Sequence, residues 1–291
     1  DKLYKYMLTY SKINCLFCLI NIFDLINVCN YYYVYCSKLY GTYFAQLYKI
    51  IFVSFIGNVL KLSSNYIYLL IIINRYMLIG KSHIKILENI SKISTLILKI
   101  LIFFISTLLS ISKSIEYSIN IDYEQYEYPT WVIGINFPYN QISKNMLIVL
   151  FIFYDVFNFF LYSILSFLLD IITIRKLKKT LDEKKKRTNK LSDEIDKSAR
   201  DGIKMVIANL IANIIVRIPE HISVFLSIIV SFTNEESNLN NLLCNQFYIC
   251  YKIKKFSNFF YYISISLNFF IFYCFNLSIK KCFYLYFSKK N

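Results

Sequence analysis

The chain has 291 residues, is 57% hydrophobic and carries a formal net charge of +15, with five glycines and three prolines. Its apolar residues gather in repeated windows of about 20, the length that crosses roughly 30 Å of hydrocarbon at 1.5 Å per residue, a pattern foreign to a soluble domain with one core. The basic residues fall between those windows, not along an aromatic-interleaved surface, so a membrane accounts for the charge and nucleic acid is not expected as a partner.

Asp1 to Tyr10 is short and charged and lacks the apolar region and cleavage site of a signal peptide. The sequence is therefore expected to be a fragment with more chain upstream. Six hydrophobic windows follow, at about 13–36, 50–74, 93–111, 146–174, 203–232 and 256–279. Each is long enough to span a bilayer, some with tilt. The expected fold is thus an all-α integral membrane protein, one helical bundle over 1–291. Pro219 is the single proline inside a window, and a kink is expected there.

Orientation comes from the connections. Segments 1–12, 80–92, 175–204 and 280–291 carry 22 of the 33 basic residues, twelve of them in 175–204. Segments 37–49, 112–145 and 233–255 carry seven basic and six acidic residues. The positive-inside rule then places the basic segments, the loop 175–204 and the tail 280–291 in the cytoplasm of a multi-pass plasma-membrane protein. The mixed charges of 175–204 suit helical extensions of the flanking spans, and its polybasic part suits contact with anionic membrane lipid.

Ionisable residues inside the windows are costly in lipid and each asks for a partner. Lys61, Ser64, Tyr68 and Arg75 share one helix face. Lys61 lies roughly 21 Å from Arg75 by helix rise, at a depth similar to Arg217, Glu220 and His221 in the fifth window. A Lys61–Glu220 pair is expected, either as an internal ion pair that fixes packing or as a ligand contact. Lys99 either snorkels or faces a neighbour, with Asp155 as a candidate partner. Asn74-Arg75-Tyr76 closes the second window; the arginine is either a headgroup anchor or a group held inside the bundle's mouth. His83 and His221 lack a third ligand, so no metal is expected. Cys15 and Cys18 lie in an apolar helix without a second pair and read as small apolar residues. No nucleophile–base constellation or phosphate-cradling glycine loop is present, and no enzyme is expected. The sequons at Asn89 and Asn276 fall on the expected cytoplasmic side, so neither should be glycosylated.

Six windows, a long basic loop before the fifth and an arginine closing the second resemble the rhodopsin-like G-protein-coupled receptors with the first helix missing. Asn74-Arg75-Tyr76 is similar to that family's Asp-Arg-Tyr motif. Asp24, 51 residues earlier, and Ser64, eleven earlier, fall where the family keeps a buried aspartate and a sodium-binding serine. Asn14, Pro219, Asn268 and Tyr162 also find counterparts. The departures are Asn74 for the acid, Arg217 for a tryptophan, Phe269 and Phe272 in the segment after Asn268, and Ile50 where a disulfide cysteine is usual. Cys29 or Cys36 with Cys244 or Cys250 are candidates for another disulfide, with the pairing left open. The likeness is strongest to divergent invertebrate peptide-type and chemoreceptor-like receptors.

The resemblance implies a receptor that carries an extracellular ligand signal to a heterotrimeric G protein. It assigns the coupling switch to Asn74, Arg75, Tyr76 and Tyr162, and a polar core with a sodium ion near Asp24 to Asp24, Ser64 and Asn268. It places a ligand pocket at Lys61, Arg217, Glu220 and His221, and a hinge at Pro219. Acidic Glu116, Asp122, Glu124 and Glu127 favour a cationic ligand, such as a neuropeptide. Asn74 cannot hold Arg75 by charge, so raised basal signalling is expected, lowered by Asn74→Asp. The rival readings are a transporter or channel lined by Lys61, Lys99, Asp24, Asp155 and Arg217, and a receptor-like paralogue that no longer signals.

Overall fold

The computed structural model describes residues 2–26, 42–79, 84–114, 152–187, 193–222 and 259–268, with short pieces at 29–30, 35–37, 39, 117–118, 130–131, 146, 149–150, 225, 256–257, 270–271 and 274. The architecture is all-α, and five helices among the described residues are long and apolar enough to cross a membrane: Lys2–Ile26, Tyr43–Leu78, Thr95–Ser114, Ile152–Thr180 and Gly202–Ile222.

Helix α1 is Lys2–Ile26. It begins eleven residues before the expected window and ends ten before its expected close at 36. Lys2 Nζ in its first turn donates to Ile93 O at 3.1 Å. Past Ile26, a β1–β2 pairing of Cys29–Asn30 with Tyr35–Cys36 replaces the helix, in a register that sets Cys29 opposite Cys36. That run is rich in β-branched and aromatic residues between asparagines, which favours strand over helix.

Helix α2 runs Tyr43–Leu78. Thr42 caps it, its Oγ1 accepting from Ala45 N at 3.3 Å, one of the orphan donors of a helix start. Its Lys49–Ile56 turns are π-helical. The short α3, Lys85–Lys92, carries an exposed Glu88–Lys92 pair at 2.8 Å. Helix α4 is Thr95–Ser114. It buries Leu98, Ser106 and Ser110 and exposes Leu96, Ile97, Ile100, Leu101, Phe104 and Leu108. This is the pattern of a membrane helix, with large apolar groups outward and small Ser-xxx-Ser residues at the contact.

Helix α5 covers 152–187, π-helical over Val156–Leu161 and regular over Tyr162–Arg187. Helix α6 begins at Asp193, is regular to Leu210 and π-helical over Ile211–Ile215, turns at Val216–Arg217 and resumes to Ile222. The extensions to Arg187 and from Asp193 agree with the helical reading of segment 175–204. Within the last expected span, 259–268 is helical, and we call it α7. A second pairing joins β3, Tyr117–Ser118, to β4, Thr130–Trp131. The loop acids Glu116, Asp122, Glu124 and Glu127, the cysteines 244 and 250, Asn276 and the tail 280–291 lie outside the described residues.

The chain forms two compact units. The first holds Asp1–Ile71 and Ile93–Asn158, the second Ile72–Lys92 and Phe159–Asn291. In the first, α1 buries Tyr6, Tyr10, Ile13, Asn14, Phe17, Ile20 and Asn21 along one stripe. Tyr10 meets Tyr68 with ring centroids 5.7 Å apart, and Tyr48 Oη donates to Ile20 O at 2.9 Å. These two contacts set α1 and α2 antiparallel.

Candidate functional site

The first unit gathers a buried set of amides and hydroxyls. Ser64 Oγ donates to Asn14 Oδ1 at 2.7 Å in a buried setting. Asn65 Nδ2 donates to Asn158 Oδ1 at 2.8 Å. Asn158 Nδ2 reaches Tyr154 Oη at 3.3 Å, and that hydroxyl donates to Asn58 Oδ1 at 2.9 Å. Asparagines in lipid are held by such mutual bonds because the alternative is an unmet polar group.

Asp24 does not join this core. It lies near the end of α1, its carboxylate 3.4 Å from Lys49 Nζ, with side chains 26% and 14% exposed. Ten residues separate Asp24 from Asn14, about 15 Å of helix, so Asn14, and not Asp24, stands beside Ser64. The expected grouping of Asp24, Ser64 and Asn268 is thereby corrected. Among the described residues no group of three His, Cys, Asp or Glu suits a metal.

Two other expected charges also find partners. Asp155 sits 3.6 Å from Lys113, whose Nζ lies 5.0 Å over the Tyr154 ring. Lys99 instead donates to Lys5 O at 3.3 Å, so the Lys99–Asp155 pairing gives way. Lys61 is buried.

The second unit holds the candidate site. Arg217 and Glu220 are fully buried and form a 2.7 Å ion pair from Nε to Oε2, three residues apart on the turn around Pro219. The Arg217 guanidinium lies 5.1 Å from the Tyr162 ring centroid and 4.9 Å from that of Tyr261. Two aromatic faces and one carboxylate thus neutralise a cation with little water near it. One turn away, His221 Nε2 is 3.1 Å from Ser163 Oγ, between the rings of Phe159 and Phe160.

Pro219 lacks an N–H and cannot continue the helical ladder. The helix breaks just before it, and both Glu220 N and His221 N donate to Arg217 O, at 3.0 and 3.2 Å. Ser257 Oγ donates to Pro219 O at 2.9 Å, and Ser264 Oγ to Ala212 O at 2.9 Å. Below the break, Asn213 and Asn268 exchange amide bonds of 3.3 and 3.0 Å. Asn268 therefore ties α7 to α6. Its partner Asn213 was not singled out from the sequence; the signal was there, since Asn209, Asn213 and Arg217 recur every four residues.

Asn74, Arg75 and Tyr76 lie in the last turns of α2. Arg75 is 8% exposed and Tyr76 4%, so this arginine is packed inside protein, not spread at a headgroup level. Lys176 Nζ donates to Tyr76 O at 3.0 Å and lies 3.9 Å from the Tyr76 ring centroid. Tyr162 does not meet this switch. It stands under Arg217 and its hydroxyl reaches Asn213 Oδ1 at 3.4 Å. Asp170, further along α5, is also buried.

The family model for the serpentine type 7TM GPCR chemoreceptor Srw matches residues 3–287. A search of curated proteins finds no match. The match is to a chemoreceptor family, and the rhodopsin-like assignment is finer than it reaches. The chain is a multi-pass membrane protein with the architecture of a G-protein-coupled receptor, and it belongs to the serpentine 7TM chemoreceptor family Srw.

Proposed function

We propose that this chain is a plasma-membrane chemoreceptor that passes the binding of an extracellular ligand to a heterotrimeric G protein. The observation that carries this reading is the burial of Arg75 at the end of α2, beside Lys176 on Tyr76. A headgroup anchor has no reason to be packed this way. The basic connections put that end in the cytoplasm, where Arg75 with Asn74 and Tyr76 meets the G protein.

The pocket of this reading is built on Arg217, Glu220 and His221 above the Pro219 break. Its ligand is a peptide, attracted by the acidic segment 116–127. Binding biases two packings of α6 about the break, and the mouth at Arg75 opens or closes with them. The charges invoked for a transporter path are already engaged: Asp24 with Lys49, Asp155 with Lys113 and Arg217 with Glu220. That supports a packed bundle over a conducting one.

The test uses the full chain in cell membranes with a promiscuous G protein. A panel of peptides and small metabolites is scored for guanine-nucleotide exchange and, in parallel, for ion and substrate flux. Exchange that saturates with one ligand and is lost in Arg75→Ala is the expected result. Ligand-evoked flux without exchange would overturn the reading.

A further inference from the structure

Cys29 and Cys36 stand opposite each other in the β1–β2 ladder, next to the Asn30–Tyr35 pair. We propose that these two cysteines form a disulfide that closes the hairpin between α1 and α2 on the outer side of the membrane. The proposal rests on the orientation in the receptor reading, which puts that connection outside the cell, on the oxidising face.

Directly opposite residues of an antiparallel pair share a face of the ladder and lie about 4.5 or 5.5 Å apart at Cα, according to which of its two alternating positions they hold. A disulfide needs about 4.4–6.8 Å, so the register suits the bond at either position. The chain on both sides fixes the base of the hairpin. Helix α1 ends at Ile26, three residues before Cys29. Thr42 N and Thr42 Oγ1 both donate to Leu39 O, at 3.2 and 2.7 Å, so a bonded turn into α2 begins three residues after Cys36. The helix ends themselves are packed together: the Phe23 ring centroid is 4.6 Å from that of Tyr48 and 6.4 Å from that of Phe44, and Asp24 pairs with Lys49. The connection must therefore reverse over a short length, and the ladder makes the reversal.

The other outer candidates, Cys244 and Cys250, lie outside the described residues and at least 208 residues past Cys36. A chain folds from its N-terminal side as it is made, so Cys36 is at hand for Cys29 long before either. Cys15 and Cys18 are free thiols within the α1 span. The oxidant is a disulfide-bearing oxidoreductase of the secretory lumen. One cysteine thiolate attacks its disulfide, the second displaces it from the mixed disulfide, and it leaves as a dithiol carrying the two electrons and two protons. Ile50 stands in α2 where the resemblance leads to a bonded cysteine. The hairpin bond gives the outer ends of α1 and α2 a covalent clamp of their own.

The test uses the full chain in intact cells. Free thiols are blocked with N-ethylmaleimide, the protein is denatured under the same reagent, and bonded thiols are then reduced and given a heavier maleimide. Mass spectrometry follows digestion with chymotrypsin, which cuts at the tyrosines between the two cysteines. Cys15 and Cys18 are expected to carry the first label and Cys29 and Cys36 the second. The unreduced digest should hold the Cys29 and Cys36 peptides joined, two hydrogens lighter than their sum. Either cysteine joined to Cys244 or Cys250 overturns the proposal, as does first label on Cys29 or Cys36. Prior treatment with a membrane-impermeant maleimide separates the causes of that last result. Labelling by the impermeant reagent sinks the bond and leaves the orientation standing; labelling by the permeant reagent alone counts against the orientation in the receptor reading as well. In a second arm, Cys29→Ser should open Cys36 to the impermeant reagent and Cys36→Ser should open Cys29. The double variant Cys244→Ser, Cys250→Ser should expose neither, and exposure of either there refutes the pairing.

Discussion

Glu220→Gln is the sharpest probe of the second unit. It keeps the shape and one acceptor but removes the charge 2.7 Å from Arg217 Nε, where the two side chains are 2% and 3% exposed. Losing one partner of a buried pair costs about 3–5 kcal/mol. The Tyr162 and Tyr261 faces, at 5.1 and 4.9 Å, remain against the guanidinium, and cation–π contacts of roughly 0.5–2 kcal/mol each do not replace a carboxylate. At roughly 2–4 °C per kcal/mol for a chain near this size, the melting midpoint should fall by roughly 6–20 °C. Scanning fluorimetry of the purified protein in detergent measures it, with Tyr261→Phe as the control that keeps the ring and should stay close to the parent. A Glu220→Gln midpoint within about 2 °C of the parent would refute the claim that this ion pair holds the α6 turn together.

The Asn14–Ser64 bond predicts indifference to sodium. Melting in sodium chloride and in choline chloride at equal ionic strength should agree, while Ser64→Ala should cost about 0.5–1.5 kcal/mol in both; a sodium-dependent rise in stability would restore Asp24 to the core. Asn158→Leu removes both the acceptor of Asn65 and the donor to Tyr154, so a loss of about 1–3 kcal/mol is expected. The loss should shrink in an Asn65→Leu background, measured by the same melts, because the two changes break one shared bond.

The bundle was legible because its signal is bulk hydrophobicity over about 20 residues, which no local detail cancels. The helical extensions at Arg187 and Asp193 followed from mixed charge. The burial of Arg75 and the roles of Arg217 and Glu220 as interior charges were visible as ionisable residues within apolar runs. Register was harder to read. Counting from Arg75 back to Asp24 assumes regular helix and a short connection, but 27–42 contains a strand pairing and Lys49–Ile56 is π-helical. A count along sequence then stops converting into height, and Asn14 takes the place that the spacing gave Asp24. Tyr162 was assigned to the switch by resemblance alone, and it stands instead under Arg217. Asp170 escaped notice because an acid four residues from the end of an apolar run looks like part of the charged flank.

The π-helical turn at Ile211–Ile215 has a consequence for how this receptor tolerates changes of chain length. A π-bulge carries one residue more than the α-helix that would fill the same axial distance. Deleting a residue inside 211–215 therefore lets the segment tighten to ordinary pitch, with Asn209 and Arg217 still facing the same side. The same deletion a turn earlier has no slack to absorb it and swings every later side chain by about 100°. Within α6, length variation among relatives should be concentrated in that one turn, where a missing residue changes the winding of the helix and leaves its inward face intact.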